Sequence, residues 1–294
     1  MKTKIKKNMG QAALHAVFIC IALVYIVPLL MTISVSFTDE KTLTAEGYSL
    51  IPVKFSTYAY ELVFKNMGQM LRSYGVTILF TASATILAVV VMALLAYPLS
   101  RTNNCFRRAL NFYVFFTMLF SGGMVPTYLL ITNVLHINNT IFVYIFPGVV
   151  SAYYVMIIRT SYRAIPDELI EAAKVDGAKE LFICFRIVMP LSKPTLASVG
   201  FLVLVAKWND WMTSLLYIRD PALYSLQYLL QRLLQEANYL KSVASSEIGA
   251  SSMAFPSETL RFAMAIVAAG PVLVIFPLFQ KYFSKGMTVG GVKG

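Results

Sequence analysis

Residues 159–194 read RTSYRAIPDELIEAAKVDGAKELFICFRIVMPLSKP, a stretch too polar to cross a membrane and too regular to be a loose linker. Pro166 suits the first position of a helix, and the acidic residues that follow it favour the positive end of the helix dipole. The later Asp176-Gly177 pair predicts a helix stop, because glycine adopts the left-handed backbone conformation that ends helices. The stretch therefore predicts a short helix, a sharp turn and a second short helix that ends at prolines.

The chain is strongly apolar on both sides of this segment. Its 294 residues are 58% hydrophobic and 13% charged, whereas soluble domains carry a charged fraction of about 25%. The apolar residues form blocks long enough to cross a hydrocarbon core of about 30 Å. We predict an all-α, polytopic membrane protein with a single transmembrane domain over residues 1–294. The six predicted spans are residues 12–37, 71–99, 109–132, 140–162, 194–218 and 260–283.

Basic residues predict the orientation. Sixteen lysines and arginines lie in the two terminal tails, the 101–108 turn and the 159–193 segment, whereas eight lie in the opposite loops. Loops rich in Lys and Arg remain in the cytoplasm. The termini and the polar segment are therefore predicted to be cytoplasmic. The first apolar block is too long for a signal peptide and has no cleavage site close behind it, so we expect an uncleaved helix.

Several function classes lack the residues that they need. The two histidines and three cysteines are isolated, which excludes a metal cluster or a disulfide framework. No G-x-x-x-x-G-K-[ST] phosphate loop occurs, so we predict that the chain is not an enzyme and hydrolyses no ATP itself. The net charge of +11 fits cytoplasmic loops of a membrane protein better than nucleic-acid binding.

One of the two long outer regions, residues 38–70 and 219–259, predicts an amphipathic helix. Leucines recur at helical spacing from Leu226 to Leu240, and amides and charges fill the other face. Such a helix lies on the outer surface or against a partner, or it covers the helix bundle.

Residues 171–194 resemble the EAA loop of binding-protein-dependent ABC importer permeases. The matching residues are Glu171, Ala172, Ala173, Asp176, Gly177, Ala178, Phe182, Phe185, Ile187, Pro190 and Pro194. The final GMTVGGVKG is similar to the tail of maltose-type, carbohydrate-specific permeases. The resemblance covers essentially the whole chain and implies the type I ABC importer permease fold, with a coupling segment at about 163–190.

The resemblance implies that this loop carries a coupling helix, which docks in a cleft of a separate cytoplasmic ATPase dimer. Glu171 would contact the ATPase through its charge, Leu169, Ala172 and Ala173 would fill the cleft, and Gly177 would shape the turn. Asp176, Ala178 and Phe182 belong to the same docking segment. ATP and Mg²⁺ would be held by the ATPase, and this chain would have no cofactor. The alternative is a loop helix that packs only on its own bundle.

The resemblance also implies other partners in a bacterial plasma membrane. The chain would form half of a pathway with a second, different permease, surrounded by membrane lipids. An extracellular sugar-binding lipoprotein would deliver the oligosaccharide cargo.

The fifth predicted span contains a polar and aromatic stretch, Lys207-Trp208-Asn209-Asp210-Trp211. Polar residues inside a span are costly and indicate a role. Asn and Asp hydrogen-bond sugar hydroxyls and Trp rings stack on sugar C–H faces, which fits an uncharged, hydroxyl-rich cargo. The stretch also resembles the WN-D/E-aromatic stretch of sugar permeases. Alternatively, Lys207 and Asp210 form an internal pair and the tryptophans anchor the membrane interface.

The third predicted span is interrupted by Gly122, Gly123 and Pro126, with Tyr128 close behind. Helix breaks at membrane depth occur where protein or a water-filled path satisfies the backbone, so these residues indicate a pathway or hinge. The stretch resembles a subgroup of sugar permeases for oligosaccharides derived from complex glycans.

Three alternative functions make different demands on the sequence. An ion-coupled secondary transporter needs charged residues at a midplane site, and only Lys207 and Asp210 qualify. A membrane enzyme needs a nucleophile–base set or a metal cluster, and neither appears. An ABC permease for a non-sugar solute is disfavoured only by the resemblance to sugar permeases.

Overall fold

The computed structural model describes residues 2–101, 106–246 and 256–286. Within these ranges the chain forms helices and turns, apart from one isolated antiparallel bridge between Thr38 and Phe55. The all-α fold class is therefore confirmed. The tail beyond Gly286, residues 102–105 of the predicted 101–108 turn and part of the second outer region lie outside the described residues.

Fifteen α-helices occur in the described ranges. They are α1 (Lys2–Ser36), α2 (Glu40–Glu46), α3 (Tyr58–Val63), α4 (Met67–Ser100), α5 (Arg107–Leu119), α6 (Met124–Leu129), α7 (Phe142–Ile145), α8 (Ala152–Arg163), α9 (Asp167–Val175), α10 (Glu180–Ile183), α11 (Met189–Leu191), α12 (Lys193–Trp208), α13 (Met212–Tyr217), α14 (Leu226–Ser246) and α15 (Glu258–Gly286). A π-helical turn follows α6 at Leu130–Val134, and another follows α10 at Cys184–Val188.

Three helices in the described part of the chain are long and apolar enough to cross a membrane unbroken, namely Leu14–Ser36, Met67–Ser100 and Glu258–Tyr282. They lie over the first, second and sixth predicted spans. Arg107–Leu119 and Met124–Val134 form a bent pair, with 108° between them, over the third. A second bent pair joins Glu180–Leu191 to Lys193–Trp208 at 82°, and only its second arm lies in the fifth predicted span.

The fourth predicted span, residues 140–162, is not one helix. α7 ends at Ile145 and α8 begins at Ala152. Between them, Pro147 has no backbone N–H to donate, and the next residue, Gly148, has a φ of 74°. Apolar composition alone did not reveal this interruption. The count of six spans stays a prediction.

The chain divides into two compact units, Met1–Met67 with Leu230–Gly270 and Gly68–Leu229 with Pro271–Gly294. In the first unit, the carboxylate of Glu40 on α2 is 7% exposed and caps the start of α15. It accepts backbone N–H donors from Ser257, Glu258 and Thr259 at 2.9–3.2 Å. These N–H groups have no partner within their own helix, and a carboxylate also suits the positive end of the helix dipole.

The second unit has a core that joins the membrane helices to the polar segment. α4, α8 and α12 pack together there, and α9 contributes Ile170, which is 4% exposed. The α10 region adds Ile183, Cys184 and Val188 to the same core. The short helices of the polar segment are therefore packed directly on the bundle.

The predicted amphipathic helix of the outer region is confirmed as α14. Its apolar face is buried at Leu226, Leu230 and Ala237, and polar residues of the opposite face, such as Gln235, are exposed.

Candidate coupling segment and transport pathway

The helix predicted at the start of the polar segment is α9, Asp167–Val175. Its N-cap residue is Pro166, and Asp167 and Glu168 occupy the first turn, as expected from the helix dipole. Ile170 is the only residue of α9 that is buried. The helix is thus attached to the core along one narrow face, and its other faces are exposed.

The predicted stop after α9 is confirmed. Gly177 has a φ of 78°. Its N–H donates to the carbonyl of Lys174 at 3.0 Å, and the N–H of Ala178 donates to the carbonyl of Ala173 at 2.9 Å. This pair of bonds is the Schellman arrangement, which satisfies the last carbonyls of a helix and turns the chain sharply.

An open pocket of about 520 Å³ lies at this turn. Its lining residues are Ala173, Asp176, Gly177, Ala178, Lys179, Phe182 and Ile187. Five of the eight predicted coupling residues are thus brought together. The other three, Leu169, Glu171 and Ala172, lie exposed on α9. An exposed helix beside an open, partly apolar pocket can both enter a cleft of a partner and receive a side chain from it.

No pattern in the sequence indicated the polar contacts that hold this segment together and attach it to the end of α4. The Lys174 ammonium lies 2.6 Å from one carboxylate oxygen of Glu180, and the Tyr97 hydroxyl donates to the other at 2.5 Å. Arg101 pairs with Asp167 at 3.3 Å. No short-range pattern links Tyr97 to Glu180 or Arg101 to Asp167, so only the fold could reveal these two contacts.

The fifth predicted span breaks at the polar and aromatic stretch. α12 ends at Trp208 and α13 begins at Met212. Trp208 is 2% exposed and lies 6.5 Å from the ring of Tyr74, centroid to centroid. Its ring therefore belongs to the core and offers no face to a sugar in this structure. This corrects the expectation of stacking at Trp208, whereas Trp211 is half-buried.

The side chains of Lys207 and Asp210 bond different partners, which does not support the alternative of a direct ion pair between them. The Lys207 ammonium donates to the carbonyls of Tyr144 and Pro147 at 2.7 and 2.9 Å. Asp210 accepts from the N–H and the hydroxyl of Thr213 at 3.0 and 2.6 Å, at the start of α13. The Lys207 ammonium thus bonds backbone carbonyls beside the break after α7, and the Asp210 carboxylate bonds two donors of Thr213 at the start of α13.

Asn209 is the exposed polar residue of the stretch. Its side-chain N–H donates to the carbonyl of Val205 at 2.8 Å, and its oxygen accepts from Gln227 at 3.3 Å. α12 has 16 residues and is about 24 Å long, so Asn209 is separated by that distance from the base of the helix at Lys193. The pathway candidates and the coupling segment are thus distinct sites.

The predicted interruption of the third span is confirmed. α5 ends at Leu119, and Gly123, next to Gly122, has a φ of 85° and precedes α6. Tyr128 on α6 is 36% exposed, and its ring stacks on that of Tyr217 from α13, with centroids 5.5 Å apart. The broken third and fifth spans therefore meet through two aromatic rings.

Residues 86–289 match the family described as binding-protein-dependent transport system inner membrane component. The chain belongs to this family. The permease is 34% identical to the polygalacturonan/rhamnogalacturonan transport system permease protein YtcP of Bacillus subtilis (strain 168), over 98% of this chain and 100% of that protein. It is 28% identical to the arabinooligosaccharides transport system permease protein AraQ of Halalkalibacterium halodurans, over 94% of each chain.

The fold is similar to a solved structure as well. A bacterial ABC transporter involved in the import of the acidic polysaccharide alginate matches with a TM-score of 0.75 and 25% identity, over 96% of this permease and 98% of that chain. The protein is therefore a membrane permease of an ABC importer. Permeases of this kind work with a second permease, an ATPase and a binding protein. The family match includes the candidate coupling segment and the breaks in the third, fourth and fifth predicted spans, and it begins after α1 to α3.

Proposed function

We propose that this permease forms half of the translocation pathway for an oligosaccharide and that α9 is the coupling helix that receives the movement of a separate ATPase. The observation that carries the proposal is the exposure of α9: Ile170 alone is buried, and a pocket of about 520 Å³ lies open at the end of the helix. ATP and Mg²⁺ would be bound by the ATPase.

The roles on α9 follow from position and chemistry. Leu169 and Ala172 are exposed apolar residues that gain by burial in a cleft of the ATPase. Glu171 is exposed beside them and suits a basic partner. Phe182 forms one wall of the pocket, where it would contact a side chain of the ATPase.

The cargo proposal is supported by similarity and by one exposed amide. The relatives are named for polygalacturonan or rhamnogalacturonan and for arabinooligosaccharides, and the similar structure for the acidic polysaccharide alginate. All are linked sugars, so the proposal covers acidic as well as uncharged oligosaccharides. Asn209 presents an amide, which has both donors and an acceptor for sugar hydroxyls. Tyr128, which is 36% exposed, follows the break in the third predicted span, and the half-buried Trp211 lies within the break of the fifth. We propose an extracellular sugar-binding lipoprotein, a different second permease and cytoplasmic termini in the bacterial plasma membrane.

The experiment is purification of the tagged permease from mild detergent, followed by uptake measurements on the recovered complex in proteoliposomes. We expect a second permease, an ATPase with a phosphate loop and a binding protein. We also expect ATP-dependent uptake of at least one of trigalacturonate, arabinotriose and raffinose. Uptake driven by an ion gradient without ATP would favour a secondary transporter. Uptake of a peptide or amino acid instead would favour a non-sugar ABC permease.

The coupling role has its own test. Glu171→Gln removes the charge of an exposed side chain, so we expect normal delivery of cargo to the outer face but less uptake per ATP hydrolysed. Glu46→Gln, at an exposed glutamate of α2, is the matched control and should leave both unchanged. Normal coupling in Glu171→Gln would contradict the assignment of this residue.

A further inference from the structure

The C-terminal end of α4 contacts the coupling segment on both sides of α9. One guanidinium nitrogen of Arg101 donates to Asp167, the first residue of α9, at 3.3 Å, and another donates to the carbonyl of Tyr162 at 2.9 Å. Beyond the turn that ends α9, the Tyr97 hydroxyl donates to Glu180 at 2.5 Å. α9 is therefore held between two contacts from one helix end.

Tyr97, in the last turn of α4, and Arg101, directly after the helix, are both largely buried. Tyr97 is 7% exposed, and the Arg101 side chain is 11% exposed. The Arg101 guanidinium lies over the Tyr97 ring, 5.5 Å from its centroid, so the two residues also stabilise each other. The carbonyl of Leu99 between them accepts from Arg159 of α8 at 3.0 Å. The Tyr97 hydroxyl and the Arg101 guanidinium, both largely buried, thus donate to the carboxylates of Glu180 and Asp167 in a mostly exposed segment.

We infer that Tyr97 and Arg101 are positioning residues that carry the movement of α9 into α4. This inference rests on the proposed role of α9 as the coupling helix. Along the chain, α9 is connected to α8 before it and to α12 after it. Because α9 and α4 are not consecutive in the chain, a displacement of α9 reaches α4 through side-chain packing and hydrogen bonds. Among the described residues, Tyr97 and Arg101 make such polar contacts.

The length of α4 determines how far a movement of α9 is transmitted through the contacts of Tyr97 and Arg101. This helix has 34 residues and is about 50 Å long, which exceeds the thickness of a hydrocarbon core. A displacement at its C-terminal end is therefore delivered to the other side of the membrane. α4, which lies over the second predicted span, would therefore move at the same time as α8 and α12, the helices on either side of the coupling segment.

The test compares ATP hydrolysed per cargo molecule in the complete importer, reconstituted with its ATPase and binding protein. The probe is whichever of trigalacturonate, arabinotriose and raffinose the unaltered complex takes up best. Tyr97→Phe removes one hydroxyl and keeps the buried ring, and Arg101→Gln removes the cation. Tyr113→Phe, at an exposed tyrosine of α5, is the matched control.

We expect each single variant to raise the ratio of ATP hydrolysed to cargo transported by about 2- to 10-fold, the range set by the loss of one hydrogen bond. The double variant should raise it further, because each contact still restrains one end of α9 in the single variants. Glu180→Gln should have a smaller effect than Glu180→Ala, since its amide oxygen still accepts from Tyr97. The control should keep the original ratio.

Two outcomes would overturn the inference alone. One is an unchanged ratio in both single variants and the double variant. The other is a fall in the yield of assembled complex with an unchanged ratio, which would make these residues supports of the fold only. If the ATPase does not bind the unaltered permease at all, the proposed function fails first and the inference with it.

Discussion

Gly177→Ala is the sharpest test of the turn that ends α9. The φ of Gly177 is 78°, and a Cβ added there would meet nothing within 4 Å. The change therefore causes no clash, and its cost is that of placing an L-residue in the left-handed conformation, about 1–2 kcal/mol. An energy of that size lowers the population of the native turn by a factor of about 5–30 relative to alternatives.

The assay is uptake and ATP hydrolysis by the reconstituted importer. Because the turn positions both α9 and the pocket beside it, we expect uptake per ATP to fall by up to about 5- to 30-fold in Gly177→Ala. Delivery of cargo by the binding protein at the outer face should be unchanged. Gly177→Asn should keep most of the coupling, since asparagine tolerates the left-handed region better than alanine.

Gly68→Ala provides the matched control. Gly68 lies in the first turn of α4, and a Cβ there also meets nothing within 4 Å, but its backbone lies outside the left-handed region. We expect this variant to behave like the original permease. Full coupling in Gly177→Ala would refute the reasoning, and equal damage by alanine and asparagine would show that the backbone conformation is not the cause.

Three further outcomes are expected. Glu40→Gln should lower the thermal unfolding midpoint of the detergent-solubilised permease, because one amide oxygen cannot replace two carboxylate oxygens. The loss of a hydrogen bond to a charged group costs about 1.5–3 kcal/mol. Glu46→Gln is the control. Lys207→Met should reduce the yield of folded permease by leaving two carbonyls unpaired, and uptake by any residual complex should still require ATP, whereas a shift to ion-gradient dependence would contradict our assignment. Asn209→Ala should raise the KM for the transported sugar about 2- to 10-fold with assembly intact, whereas Trp208→Ala should reduce folding; the opposite pattern would restore Trp208 as a cargo contact.

Local signals predicted the backbone of the candidate coupling segment well. Proline, two acidic residues and an Asp-Gly pair each act on the backbone within a few positions, so the start of α9 and its stop at Gly177 follow from short-range physics. The break before α6 was visible for the same reason, because Gly122, Gly123 and Pro126 are adjacent. Such features need no knowledge of what packs against them.

The contacts over long sequence distances were not predictable. Glu40 caps a helix that begins 218 residues later at Glu258, and Tyr97 reaches Glu180 across 83 positions. A single sequence shows that these residues can form hydrogen bonds and does not show with which partner. The burial of Trp208 escaped prediction for the same reason, because a tryptophan in an apolar span suits a core, an interface or a cargo site equally well.

The breaks in the fourth and fifth predicted spans depend on each other. Pro147 and Gly148 end the helical hydrogen bonding after α7, which leaves carbonyls that need donors inside an apolar region. Lys207, in the last turn of α12 before the second break, supplies donors to the carbonyls of Tyr144 and Pro147. A charged lysine in a span and unpaired carbonyls in a span each raise the free energy of the folded protein. When the lysine donates to those carbonyls, both costs are reduced. The Lys207 charge is thus engaged in holding two interrupted spans together, and Asn209, two residues further along the chain, is the exposed polar residue of the stretch that can face a sugar.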